Sequence, residues 1–159
     1  DKTFVVKNGV EWKNYDGIYY HTYSPDGKSY AYVAELGDKY FIVKDGIGQI
    51  TEYDSIYNPT YSHDGRSFSY IARLGGKKFI VKDGIELPQY DSAYELSYSP
   101  DNTSIAYIAR SDDKTFVVKN GVEWKNYDWI GGLNYSPDGK SFAYNAQVGE
   151  KTMIIKQSY

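Results

Sequence analysis

The sequence predicts an all-β chain built from four repeats of about 37 residues, each of four strands, and three observations carry that reading. The phrase Tyr23-Ser24-Pro25-Asp26-Gly27-Lys28-Ser29 returns as Tyr61 to Ser67, Tyr98 to Ser104 and Tyr135 to Ser141. Its aspartates (Asp26, Asp64, Asp101, Asp138) stand 38, 37 and 37 residues apart. Every repeat joins a β-branched and aromatic run to an Asn-Gly or Asp-Gly pair, the strongest short hairpin signal because both residues accept positive φ. No stretch shows a period of 3.6, so no substantial helix is expected.

Each repeat opens with an apolar run: Phe4-Val5-Val6, Phe41-Ile42-Val43, Phe79-Ile80-Val81 and Phe116-Val117-Val118, with Met153-Ile154-Ile155 beginning a fifth copy. A lysine follows each run and is expected on a solvated edge. The turn comes next, at Asn8-Gly9, Asp45-Gly46, Asp83-Gly84 and Asn120-Gly121, where the fifth copy has Gln157-Ser158. A short polar strand then ends in Tyr-Asp (Tyr15-Asp16, Tyr53-Asp54, Tyr90-Asp91, Tyr127-Asp128) and suits an exposed edge, where Pro88 is tolerated. The third strand leads into the Pro-Asp-Gly turn. Strict alternation points Ile18, Tyr20, Thr22 and Ser24 one way and Tyr19, His21 and Tyr23 the other, and places Tyr23, Tyr61, Tyr98 and Tyr135 in the core. Thr22, Thr60, Ser97 and Asn134 make a small polar face, fit for inner strands converging on an axis. The fourth strand is apolar on both faces and always carries a tyrosine (Tyr32, Tyr70, Tyr107, Tyr144), as a strand buried between stacked sheets does.

Four such strands, one polar at the edge and one small and polar at the axis, describe a β-propeller blade. The phrase Ser-Pro-Asp-Gly-Lys-Ser-Xaa-Ala-Tyr resembles the TolB-type, WD40-like (PD40) propeller repeat, and the resemblance runs through nearly the whole chain. It departs at His63, which replaces Pro, and at Asn102, which replaces Gly but can take the same left-handed turn position. The resemblance implies a propeller fold and a binding role, and it transfers no catalytic residue. The expected organisation is one repeat domain over 1–159: a partial blade at 1–16, complete blades at 17–54, 55–91 and 92–128, and a partial last blade at 129–159.

A chain of 159 residues can bury a core of its own. Its net charge of -3, with no Lys/Arg run longer than two, argues against a nucleic-acid partner. No apolar run approaches the ~18 residues of a membrane span, and the lack of Cys excludes disulfides and thiolate sites. Asp1 at the start fits a mature form, a fragment or an engineered repeat array. The 19 Tyr have two readings, core packing repeated four times or a binding surface.

The motifs that could carry chemistry fall away. Gly27-Lys28-Ser29 and Gly139-Lys140-Ser141 copy the end of a phosphate loop, but the glycine needed five residues earlier is Thr22 or Asn134, and the context is a hairpin. Only His21 and His63 are present, one expected packed and one exposed, and no nucleophile sits at a strand-to-helix turn. The Pro-Asp-Gly and Tyr-Asp aspartates are spread one per repeat, unlike a calcium site, and Asx turns explain them. No catalytic residue, metal or cofactor is expected, and the chain is read as a non-enzyme.

What remains is a surface. The loops into the third strand and those opposite the Pro-Asp-Gly turns share one face, carrying Asp16, Tyr19, Tyr20, Tyr57, Asn58, Tyr94, Glu95, Asp128 and Trp129. Aromatics beside carboxylates suit a protein or peptide partner. The alternatives are an accessory propeller of a larger peptidase-like enzyme, and an amplified or engineered array with no specific ligand. The last is prompted by residues 1–16, which are identical to 113–128. The chain starts and ends on the same strand type, so one strand is surplus, and an open arc would expose sheet faces. Two chains joined head to tail into one eight-bladed ring, a homodimer by shared blade completion, are therefore expected; a closed four-bladed monomer is the alternative.

Overall fold

The computed structural model describes residues 2–158; Asp1 and Tyr159, the outermost ends of the expected domain, lie outside them. Among the described residues all regular structure is antiparallel strand, in five sheets. β1 (Val6–Lys7) and β2 (Val10–Glu11) form a two-stranded sheet. The first four-stranded sheet contains β3 (Gly17–Tyr23), β4 (Tyr30–Leu36), β5 (Lys39–Lys44) and β6 (Ile47–Gly48) in that order. The second contains β7 (Ser55–Tyr61), β8 (Phe68–Leu74), β9 (Lys77–Lys82) and β10 (Ile85–Glu86). The third contains β11 (Ser92–Tyr98), β12 (Ile105–Ser111), β13 (Lys114–Lys119) and β14 (Val122–Glu123). A three-stranded sheet follows, β15 (Trp129–Tyr135), β16 (Ser141–Val148) and β17 (Lys151–Ser158).

The turns follow from local chemistry. Asn8, Asp45, Asp83 and Asn120 take φ between 48° and 54°, each followed by a glycine at positive φ, the backbone of a type I′ hairpin. The Ser-Pro-Asp-Gly turn closes on itself: Ser24 Oγ donates to Asp26 Oδ1 at 2.6 Å, and the Lys28 amide donates to the same oxygen at 3.1 Å. The Ser29 amide donates back to Ser24 Oγ at 2.9 Å. The same set recurs around Asp64, Asp101 and Asp138, and Asn102 holds φ 61° where the other turns have glycine.

Side-chain alternation in the inner strands is broken. Tyr19 pairs with Val33, yet Thr22 pairs with Ala31, so β3 carries one extra residue; β7, β11 and β15 are bulged at the same place. The cause is positive φ at Tyr20 (47°), Asn58 (48°), Glu95 (51°) and Gly132 (71°). The bulge turns Ile18 to the core side, with Ile56, Ala93 and Ile130 buried at the equivalent positions, and leaves Tyr19 exposed. The expectation that Tyr19 shares a core face with His21 and Tyr23 is thereby corrected. His21, expected packed, is exposed, as is His63.

The core lies between sheets rather than within them. Ala31, Val33 and Ile42 of the first four-stranded sheet pack on Tyr53, Ile56, Tyr70 and Phe79, and each later junction repeats the arrangement. Burying Val33, Ile42, Ile56 and Phe79 stabilises the fold by about 1.5–3 kcal/mol each. Tyr61 and Tyr98 are buried there and Tyr135 is partly buried. Tyr23, expected in the core, is 63% exposed, because no inner strands of a preceding sheet stand against it. The lysine after the apolar run is not simply solvated either: Lys44 Nζ lies 5.3 Å from the Tyr61 ring and 5.7 Å from the Phe68 ring. Among the described residues packing runs from each sheet to the next, as between β3 and β7 and between β11 and β15.

Candidate functional site

The nine expected face residues separate into three groups. Asp16 and Asp128 are structural clamps. Asp16 accepts from the Gly37 amide (2.8 Å) and Lys2 Nζ (2.6 Å), and Asp128 from the Gly149 amide (2.8 Å) and Lys114 Nζ (2.7 Å). Asp54 and Asp91 do the same in the two repeats between them. Each Tyr-Asp pair thus ties the entry of an inner strand to a turn 21 residues later, in place of the Asx turn expected. The lysine hydrogen bond, then the backbone amide, holds all four carboxyls below the usual value.

Tyr94 and Glu95 serve the neighbouring sheet. Tyr94 Oη donates to the Ile130 carbonyl at 3.1 Å, and Glu95 Oε2 accepts from the Leu133 amide at 2.8 Å. Trp129 stands on the fourth inner strand, 46% exposed, with its indole lying over Gly131 in the space a side chain there would fill.

Tyr19, Tyr20, Tyr57 and Asn58 do come together. Tyr20 and Tyr57 meet edge to face at 6.4 Å between ring centres, and Tyr19 lies 6.0 Å from Tyr40. Lys78 Nζ sits 4.9 Å from the Tyr57 ring. Two hollows adjoin these rings. One of about 200 Å³ lies between the first two four-stranded sheets and is lined by Tyr19, Tyr20, Tyr40, Ile56 and Tyr57. The other, of about 380 Å³, is lined by Tyr20, His21, Thr22, Asn58, Pro59 and Leu96, all from inner strands. Glu35 was not singled out by sequence. It accepts from Tyr19 Oη at 2.8 Å and Tyr40 Oη at 3.0 Å, and its hydrogen bond raises the Tyr19 pKa. The other repeats carry Arg73, Arg110 and Gln147 at its place, which was the available signal. Among the described residues no group of three or more His, Cys, Asp or Glu stands close enough to hold a metal ion.

No family model and no curated protein matches this sequence. Solved structures do match in fold. TolB from Acinetobacter baumannii superposes with a TM-score of 0.58 at 20% identity, over 90% of this chain and 41% of that one. The β-propeller domain of the Trilobed protease from Pyrococcus furiosus gives 0.60 at 11% identity, over 89% and 56%. The acylaminoacyl peptidase of Pyrococcus horikoshii gives 0.53 at 14%, over 94% and 32%. The chain thus has a TolB-like β-propeller fold whose sheets are propeller blades, and it spans about half or less of the length of the chains it matches.

Proposed function

We propose that the chain is a non-catalytic interaction scaffold that binds a protein or peptide where the inner strands meet the Tyr19–Tyr57 cluster. The observation that carries the reading is the hollow of about 380 Å³ walled by Tyr20, Thr22, Asn58 and Leu96. Tyr20 is 49% exposed there and is held by a bulged backbone rather than by burial. A large ring on a restrained backbone loses little freedom on binding, which is what an anchor for a partner requires. The test is selection of displayed peptides on the immobilised protein, with each winner measured against Tyr20→Ser. Enriched peptides that bind the variant at least tenfold more weakly support the reading. No enrichment, or winners indifferent to the substitution, overturns it.

The accessory-propeller reading keeps one specific support, the fold similarity to the peptidase of Pyrococcus horikoshii, of which this chain spans 32%. A hydrolase segment adjoining these residues in the encoding gene would favour it. In either reading the working unit is taken to be two chains sharing one ring.

A further inference from the structure

One junction between blades carries a carboxylate where the next carries cations. Glu35 pairs across the strands with Gly17 and Tyr40, and the residues at the same places one repeat on are Arg73, Ser55 and Lys78. Tyr19 and Tyr57 are equivalent in the same way. At Tyr57 the chain supplies its own cation, since Lys78 Nζ lies 4.9 Å from the ring centre. At Tyr19 the place of that lysine is taken by Tyr40, whose ring centre lies 6.0 Å away. The first junction therefore keeps the ring faces and lacks the resident cation. Among the described residues Glu35 makes no ion pair: its oxygens accept from Tyr19 Oη (2.8 Å) and Tyr40 Oη (3.0 Å).

The sequence makes room for this arrangement. A Cβ added at Gly17 would collide with Tyr19 Oη and Glu35 Oε2, because the phenol folds back over Gly17 to reach the carboxylate. The other repeats have Ser55, Ser92 and Trp129 at that place, and each carries the Cβ that the pose excludes. Beside the rings lies the hollow of about 200 Å³, with the buried side chains of Val33 and Ile56 in its wall. That is below the ~300 Å³ at which pockets for whole small ligands begin, and it suits a single side chain.

The chemistry of the wall selects the side chain. Ring faces attract a cation within about 6 Å of their centres. A carboxylate oxygen that accepts one hydrogen bond still has a lone pair for another donor. A guanidinium meets both demands: it is planar, weakly hydrated, stacks on aromatic faces and keeps N–H groups for a carboxylate. An ammonium is compact and strongly hydrated, and a quaternary ammonium has no N–H to donate.

We infer that the hollow between the first two complete blades receives an arginine side chain of the bound peptide, with the guanidinium against Tyr19, Tyr20 and Tyr40 and its N–H groups donating to Glu35. This rests on the peptide-binding face proposed above and adds the residue that the face selects. Lys78 already occupies the Tyr57 ring, which leaves the three rings of the first complete blade to the ligand.

The test is selection of displayed random peptides on the full chain, on Glu35→Gln and on Glu35→Arg. Gln147 and Arg73 stand at the equivalent place in other repeats, so both variants carry a residue that a blade accepts there. Winners from the unsubstituted chain are synthesised with arginine, with lysine, and with citrulline, which keeps the shape of arginine without its charge. Their affinities are measured by calorimetry. The expected winners share an arginine, and either replacement weakens binding to the unsubstituted chain by about tenfold or more. On Glu35→Gln the loss from citrulline shrinks below about threefold, as coupling between the two groups requires, and Glu35→Arg returns no arginine-bearing winners. Winners that depend on Tyr20 but share no arginine, tolerate lysine or citrulline, or lose as much from citrulline on Glu35→Gln, overturn the arginine inference and leave the binding face intact. Arginine-bearing winners on Glu35→Arg do the same. No enrichment, or winners indifferent to Tyr20→Ser, overturns both.

Discussion

Tyr98→Ala tests the inter-blade core most directly. The ring is 7% exposed and packs among Ile71, Ile105 and Tyr107, and its hydroxyl shares a 2.5 Å hydrogen bond with Ser69, itself fully buried. Burial pushes its pKa up to about 12. Truncating a buried aromatic costs about 3–5 kcal/mol, and leaving the Ser69 hydroxyl unpaired adds about 1–3 kcal/mol. The total, about 4–8 kcal/mol, rivals the whole stability of a typical domain. Tyr98→Phe keeps the ring and should cost only the hydroxyl part, about 1–3 kcal/mol. Tyr23→Ala changes the same repeat position at a ring 63% exposed and should cost under about 1 kcal/mol in the single chain. Urea melts of the three variants give the values. A Tyr98→Ala loss below about 1 kcal/mol would refute the reasoning that neighbouring blades supply the core.

Two further outcomes are expected. The clamp and turn aspartates have folded-state pKa values below 3.8, so their stabilisation is complete above about pH 5 and is lost as pH falls through 3.8 and below. The urea midpoint should hold steady from about pH 5 to 7 and drop below about pH 4; a steady midpoint down to about pH 3 would contradict this. Tyr20→Gly should raise stability by about 0.5–1 kcal/mol, since relief of positive φ (about 1–3 kcal/mol) exceeds the lost contact with Tyr57 (about 0.5–1.5 kcal/mol). Its melt midpoint should rise while affinity for the selected peptides falls.

The parts of the fold legible in the sequence are those written in local chemistry. Asn-Gly and Asp-Gly fixed the hairpins, and Ser-Pro-Asp-Gly carries its own hydrogen bonds, so period and strand order could be read without knowing any neighbour. The bulge was hidden because its signal is positive φ at Tyr20, a residue type that rarely adopts it, and a one-residue insertion inverts every alternation drawn through it. The Asp16 clamp was hidden because its partner is a backbone amide 21 residues away, invisible in composition. Tyr23 was misplaced because the repeats look alike in sequence while end blades lack a neighbour in space. The candidate site was legible to the extent that Tyr19, Tyr20, Tyr57 and Asn58 gather; Asp16, Tyr94, Glu95 and Asp128 belong to the fold, and Trp129 stands on another blade.

Those hydrogen bonds separate what the repeat must keep from what it can vary. The Tyr-Asp clamp and the Ser-Pro-Asp turn recur with nearly the same distances in each blade, since they hold strands that cannot form alone. The bulge position does the opposite: with a left-handed backbone throughout, it presents Tyr20, Asn58, Glu95 and then Gly132 from successive inner strands. Glu95 serves the fold through the Leu133 amide and Asn tolerates the left-handed region, so Tyr20 is the member of the series at which folding alone would favour glycine. A position that accepts strain and changes chemistry from blade to blade is where a repeat scaffold can acquire specificity without disturbing its core. That is the physical ground for placing the proposed binding face at the inner strands rather than at the aspartate-rich turns.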